Sequence, residues 1–234
     1  MQNENNNTTD STDDIAALES EIHDAVAHGT NVKEAVRHLT LKAMKADRLD
    51  SDSLRRIMTA VMQGAREGAD QQLQHAKDQS HTAQTQVTDA IEGLDSALAK
   101  FAEASKLAME EAANRTQKFS DTELVRTRSD LESLETMFMD TLKDTASTAK
   151  GLVADTLHDL VHHAQRNGTA VGEQLKETLA TLAQQMASVG HTQLEAGVKL
   201  THATAKLIRD VATGIITGIE DRDKTSSNER KHDQ

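Results

Sequence analysis

The stretch VTDAIEGLDSALAKFAEASKLA, residues 87–108, decides the fold of this chain. Its large apolar side chains recur at alternating spacings of four and three residues, and Ser105 and Ala108 continue the same pattern. This alternation over about three heptads is typical of a coiled-coil seam on one face of a helix. The predicted seam on this helix comprises Val87, Ile91, Leu94, Leu98 and Phe101.

A helix-start signal follows shortly after the seam. Ser120 can accept a hydrogen bond from the backbone of Glu123 while the Glu123 side chain reaches back, and Phe119 can pack on Leu124. These features form a capping box with a hydrophobic staple. We expect a tight antiparallel turn here, after which the helix 122–165 folds back on the seam. The apolar residues predicted to face the seam are Leu131, Leu134, Phe138 and Leu142.

The composition favours helices throughout. The chain has no proline and only three aromatic residues, all Phe, among 234. Proline would remove a backbone donor and clash with the preceding turn, so glycine and capping side chains are the remaining helix stops. Apolar residues recur every three to four positions on both sides of the seam. The sequence therefore predicts an all-α protein, an elongated helical bundle or antiparallel coiled coil with long helices.

The same periodicities divide the chain into five segments. The first segment has almost no apolar side chain that could offset the entropy lost on ordering, so we expect it to be disordered. The segments are a disordered N-terminus (1–11), a helical hairpin (12–48), a weakly amphipathic helix and polar hinge (49–86), a long-helix coiled-coil bundle (87–220) and a charged disordered tail (221–234).

Glycines mark the predicted helix ends and two possible close contacts. Gly29 and Gly168 each follow a helical pattern and can take the left-handed conformation that closes a last turn. Similar residues around these two junctions leave an internal duplication open, although helix–glycine–helix punctuation accounts for them more simply. The motif 64–68 encloses two charged residues and is interpreted as a flexible spot. The motif 214–218 lies in an apolar stretch, where we favour protein packing over lipid contact.

Charge and targeting signals exclude several classes of protein. The net charge of −12 and a pI of about 5.3 argue against a general polyanion-binding protein, so no nucleic-acid partner is expected. No secretory signal is visible and the longest uncharged apolar run, 211–219, is well short of the roughly 20 residues that span a bilayer. A cytoplasmic protein without a transmembrane helix is predicted.

Basic residues nevertheless cluster in the hairpin region of this acidic chain. No aromatic residue lies before Phe101 to stack on a single-stranded base, so docking on the chain's own acidic helices is favoured over nucleic acid or anionic lipid. This basic island comprises Lys33, Arg37, Lys42, Lys45, Arg48, Arg55, Arg56 and Arg66.

Two histidines have a spacing that metal sites use. His158 and His162 are four residues apart, on one helical face, and each has an aspartate three residues before it. That spacing can hold a metal, but surface histidines are the favoured interpretation, and no metal or cofactor is predicted. Phosphate loops, nucleophile elbows and His-Glu-x-x-His motifs are missing, so we expect no enzyme. The carboxylates are interpreted as helix-surface charge, where burial does not shift a pKa.

Three segments carry a resemblance to known proteins: FAEASKLAMEEAA (101–113), LESLETMF (131–138) and AKGL (149–152). In these segments the chain resembles an uncharacterised group of bacterial all-helical proteins and, distantly, the phasins, amphipathic-helix proteins that coat polyester storage granules. The resemblance covers roughly residues 87–182. It implies a bacterial cytoplasmic helical protein that acts by contact, and no functional residue is carried over.

The predicted function follows from the many Ala positions on the helix faces. Burying apolar surface stabilises a fold by about 0.8 kcal/mol per methylene, whereas ordering the backbone costs roughly 1 to 2 kcal/mol per residue. A solitary helix lined by Ala is therefore only marginally stable. The sequence favours a non-enzymatic scaffold or protein-interaction module that associates with itself or with another helical protein. The alternative is a phasin-like, surface-coating protein of a granule or membrane.

Overall fold

The computed structural model describes residues 5–44, 51–75, 80–114 and 121–190. Within these ranges the chain is almost wholly helical and contains no strand, so the predicted all-α helical bundle is confirmed. The seven helices of the described ranges are α1 (Asn5–His28), α2 (Val32–Met44), α3 (Ser51–His75), α4 (Ser80–Asn114), α5 (Asp121–Thr148), α6 (Gly151–Asn167) and α7 (Ala170–Gly190).

Two compact units divide the chain. Unit 1 comprises residues 1–98 and 133–172, and unit 2 comprises residues 99–132 and 173–234. Unit 1 therefore holds α1, α2, α3 and α6, together with the first part of α4 and the last part of α5. The hairpin predicted over 12–48 lies in the same unit as α3 and α6, while the domain boundaries drawn from the sequence stay a prediction.

In unit 1, two glycines bring α3 into backbone contact with α1. A Cβ added at Gly68 would lie 2.6 Å from the carbonyl oxygen of His23 and 3.0 Å from the Cβ of Val26. A Cβ at Gly64 would meet the carbonyl oxygen of Glu19. Both glycines are buried, so the interpretation of the motif 64–68 as a flexible spot was wrong. Four-residue spacing places both on one helical face, where the missing side chains allow close packing.

Other contacts in unit 1 join α4 to α2 and α3 to α5, and the core of the unit consists of large side chains. Gly93 on α4 repeats the close approach, since a Cβ there would lie 2.5 Å from the Lys33 carbonyl oxygen on α2. α3 also contacts α5, because the guanidinium of Arg66 donates to the Thr148 hydroxyl at 3.2 Å. The largest fully buried side chains in the described part of this unit are Ile22, Met58, Met62, Leu94, Leu98, Leu134, Phe138, Leu142 and Leu157.

In the described part of unit 2, α4 and α7 contact each other. The hydroxyl of Thr178 on α7 lies 3.1 Å from the carbonyl oxygen of Ala102 on α4, and Lys106 pairs with Glu177 at 3.3 Å. These contacts hold the two helices side by side within the unit. Its buried described residues are Ala102, Ala104, Ser105, Ala108, Met109, Leu131, Leu175, Thr178 and Leu182.

Two helix boundaries differ from the prediction. α1 begins at Asn5 rather than near Thr12, since extending an existing helix requires little free energy compared with nucleating one. The single helix predicted over 122–165 is divided, because Lys150 is extended (φ −133°, ψ 154°) and Gly151 has φ +56°. An L-residue adopts that positive φ only with difficulty, so α6 restarts at the glycine.

The two glycine junctions also differ from each other. Gly168 has φ +82° and ψ −179°, which is a region essentially restricted to glycine rather than the predicted left-handed helical one. Gly29 is not among the positive-φ glycines of the described residues. Its N–H closes α1 by donating to the Ala25 carbonyl at 2.8 Å. The predicted left-handed cap was therefore wrong at both positions.

Helices occupy both ends of the predicted hinge over residues 71–86. α3 continues to His75 and α4 begins at Ser80. On α4, Ala83 is buried, and buried Gln86 donates through Nε2 to the Gly29 carbonyl at 3.2 Å. This end of α4 is therefore attached to the turn between α1 and α2. The predicted tail and the motif 214–218 lie outside the described residues.

Candidate interaction sites

The predicted seam residues are mostly buried. On α4, Val87, Ile91, Leu94 and Leu98 are buried, and Phe101 is half-buried. On α5, the predicted facing residues Leu131, Leu134, Phe138 and Leu142 are all buried. Their burial fits a packed face, and the pairing of the two sets across one interface stays a prediction.

The predicted capping turn cannot be placed side chain by side chain. Phe119 and Ser120 lie outside the described residues, as do the side chains of Glu123 and Leu124. α5 begins at Asp121, immediately after Ser120. The capping box and staple therefore stay a prediction.

The best-defined polar arrangement in unit 1 is at the start of α7, where a carboxylate from α4 binds the helix end. The N–H of Ala170 donates to Oδ2 of Asp95 at 2.7 Å, and the N–H of Val171 donates to Oδ1 at 2.9 Å. The first amides of a helix have no partner within the helix, so Asp95 satisfies two of them. Burial raises the pKa of Asp95, these two hydrogen bonds act in the opposite direction, and the charges of Glu135 and Glu92 raise it further.

Thr169 completes the cap locally. Its hydroxyl oxygen accepts from the N–H of Gly172 at 3.0 Å, as an N-cap residue does. The same hydroxyl donates to Oε1 of Glu135 on α5 at 3.0 Å. Sequence reasoning missed this arrangement because Asp95 and Ala170 are 75 positions apart. We interpret it as structural, because its polar groups are bonded to one another and fix the α6–α7 turn.

Burial also affects three other carboxyl groups. It is the main cause that raises the pKa of Glu19, Asp70 and Asp89. Glu67 adds to the effect at Glu19 and Asp70, whereas Arg66 opposes it. The expectation that helix-surface carboxylates keep unshifted pKa values was therefore wrong at these positions, because helix packing removes part of their solvent.

Members of the basic island pair with carboxylates. Lys33 on α2 bonds Glu92 on α4 at 2.7 Å, and that hydrogen bond raises the pKa of Lys33. Lys42 lies 3.5 Å from Glu21 on α1. Both pairs join neighbouring helices, as intramolecular docking of the island predicts. Within their own helices, Arg37 pairs with Glu34 and Arg66 with Glu67, while Lys45 and Arg48 lie outside the described residues.

An open groove of about 640 Å³ lies between α4 and α6. The two histidines with metal-site spacing separate here, because His162 lines the groove, while the Nδ1 N–H of exposed His158 donates to the Ala154 carbonyl at 2.7 Å. Over the described ranges, no three His, Cys, Asp or Glu side chains are grouped so that they could hold a metal ion. The lining residues are Gln84, Thr88, Thr156, Asp159, Leu160, His162, His163 and Arg166.

Exposed large apolar side chains are confined to unit 2 within the described part of the chain. They are Leu107 on α4, 39% exposed, and Val125 on α5, 54% exposed. No described helix combines the length and the apolar character needed to cross a membrane.

Comparison with known proteins identifies the family. Residues 8–224 match the sequence profile of DUF6781, a family of unknown function. No curated protein and no solved structure matches the chain. Because the match spans most of the sequence, the chain belongs to the DUF6781 family.

Proposed function

We propose that this chain is a non-enzymatic helical scaffold or protein-interaction module that self-associates, and that unit 2 carries the surface through which two copies meet. The observation that supports this most directly is the exposure of Leu107 and Val125 in unit 2. Isolated apolar residues on a surface are common, so the proposal also depends on the core and the charge of that unit.

Small side chains occupy many of the described core positions of unit 2, among them Ala102, Ala104 and Ala108. Alanine side chains contribute much less burial free energy than Leu does. Helices with small side chains at buried positions gain more from covering additional apolar surface with a partner.

The two units differ in net charge, and this difference favours contact between two copies of the chain through unit 2. Unit 2 has 14 Lys and Arg against 16 Asp and Glu, a net charge of −2, and unit 1 carries the remaining −10. Two copies of unit 1 repel each other, whereas a nearly neutral surface favours association. This difference supports a second copy as the partner.

A double variant tests the surface. In a two-fold dimer each residue is buried twice, and covering the exposed part of Leu107 or Val125 contributes about 1 kcal/mol. Leu107→Ser with Val125→Ser should therefore raise the dimer dissociation constant by roughly 10²- to 10³-fold. The change is measured by sedimentation equilibrium over a range of concentrations, with circular dichroism to verify the helical content.

The matched control is Ala16→Ser with Ala17→Ser, an exposed pair on α1 of unit 1, which should associate like the parent. A parent chain that stays monomeric at every concentration would refute self-association. Equal association of the parent and the Leu107/Val125 variant would place the surface elsewhere.

The phasin-like coat predicts different behaviour. A coating protein must present a continuous apolar face, whereas nearly all large apolar side chains of the described residues are at least partly buried, so its helices would have to open. Flotation with liposomes separates the two functions. Tight association that survives high salt would favour the coat, because salt screens only the electrostatic attraction.

A further inference from the structure

The groove between α4 and α6 in unit 1 has a wall of polar side chains on α6 that the proposed function does not use. His162 and Arg166 are one helical turn apart on α6, with His163 between them, and all three line the groove. α4 contributes the neutral side chains of Gln84 and Thr88. The charged or titratable groups of the lining are therefore Asp159, His162, His163 and Arg166.

The side chains of this wall are only partly occupied. Arg166 donates through Nε to the His162 carbonyl at 3.3 Å. Neither Arg166 nor Asp159 forms an ion pair with any described residue. The two ring nitrogens of His163 lie 2.9 and 3.2 Å from Nδ2 of Asn167. The guanidinium Nη groups and the His162 ring thus remain for a ligand.

We propose that this groove binds a small, hydroxylated phosphate ester. A guanidinium group matches the geometry of phosphate oxygens, and the neighbouring His162 ring adds a hydrogen-bond donor. Asp159 and Gln84 can accept hydrogen bonds from ligand hydroxyl groups, and Thr88 can donate or accept.

The remaining lining restricts the ligand class. The volume of about 640 Å³ falls within the range of roughly 300–1,000 Å³ that is typical of small-molecule sites. Leu160 is the one large apolar side chain of the lining, so a lipid tail would find no matching surface.

The test is a titration of the full-length protein with glycerol phosphate by isothermal calorimetry at neutral pH. We expect saturable binding. Arg166→Gln should weaken it about 10- to 100-fold, as expected for losing hydrogen bonds to a charged group. His162→Ala should weaken it by a smaller factor, because it removes one hydrogen bond between the ring and the ligand. Arg55→Gln, an exposed cation of α3 outside the groove, should change nothing.

Inorganic phosphate and glycerol separate the two parts of the ligand. Glycerol phosphate should bind more tightly than either probe, because only the ester engages both walls. Absence of saturable binding at millimolar concentrations, or equal loss in Arg166→Gln and Arg55→Gln, would overturn the proposal. Equal affinity for inorganic phosphate and the ester would overturn the assignment of the hydroxyl contacts. Shifts of the His162 ring signals in the parent protein provide a second measurement that does not depend on any variant.

Discussion

Gly68→Ala is a sensitive test of the α1–α3 contact, because two effects of opposite sign compete. In an ordinary helix interior, replacing Gly by Ala stabilises by about 1 kcal/mol. At Gly68 the new methyl would lie 2.6 Å from the His23 carbonyl oxygen and 3.2 Å from the Ala27 nitrogen. Both obstacles are backbone atoms, which cannot rotate away as a side chain can, so the helices must separate.

The magnitude follows from the cost of overpacking. Extra methyl groups in a packed interior cost about 1 to 3 kcal/mol, and contact with backbone places this site towards the upper end. Subtracting the helix-propensity gain leaves a net loss of about 1 to 2 kcal/mol. For a chain of this size the melting temperature should fall by roughly 2 to 8 °C.

The matched control is Gly172→Ala in α7. There the nearest atoms are the carboxylate of Glu135, a side-chain end that can rotate away if it gives up its hydrogen bond from Thr169. Loss of that bond costs about 0.5 to 1.5 kcal/mol and offsets the helix-propensity gain of about 1 kcal/mol, so we expect a net change within about 0.5 kcal/mol. Thermal unfolding followed by circular dichroism at one protein concentration gives both values. Hydrogen exchange of the α1 and α3 amides should show the loss locally. A Gly68→Ala protein as stable as the parent, or more so, would refute the close approach of these helices.

Three further substitutions test other parts of the fold. Gly168→Ala forces an L-residue into φ +82°, ψ −179° and should lower the free energy of unfolding by about 1 to 3 kcal/mol. The change is measured from the midpoint of urea unfolding, and an unchanged midpoint would contradict that backbone conformation. The pKa of Asp95 is raised in the folded state, so the contribution of Asp95 to stability is present below the ordinary Asp pKa of about 3.9 and is lost as pH rises through the raised value. Asp95→Asn should remove this part of the pH dependence of the unfolding free energy. Identical pH profiles for the parent and the variant would count against it. Leu94→Asp with Leu98→Asp places charges at two positions with no solvent exposure. Unpaired buried charges cost several kcal/mol each, so the double variant should lose most of its helical signal in circular dichroism. Retained helicity would show that the seam residues are not in the core.

The sequence predicted the structural class well where the determining interactions are local. The three- and four-residue spacing of Val87 to Leu98 predicted a helix with one buried face, and these residues are buried. The absence of proline likewise predicted long helices. Helix formation depends on neighbours within about one turn, and that information is contained in a short window of sequence.

Helix interruptions were less predictable. Gly151 belongs to a pattern that continues apolar residues on both sides, and only its positive φ shows that α5 and α6 are separate. Gly64 and Gly68 gave the opposite error, because their charged neighbours suggested a flexible surface whereas both glycines contact α1. A glycine has the same local signal in a break and in a close contact, so the partner helix decides between them.

The sequence by itself determined that this protein is helical, acidic and built from amphipathic segments, since those properties follow from local spacing and composition. The tertiary structure alone decided which helices meet, that Asp95 binds the start of α7 and that His162 and Arg166 face Gln84 and Thr88 across a groove. The physical reason is that these contacts join residues about 75 positions apart, where the choice among many similar apolar faces depends on side-chain packing and hydrogen-bond geometry.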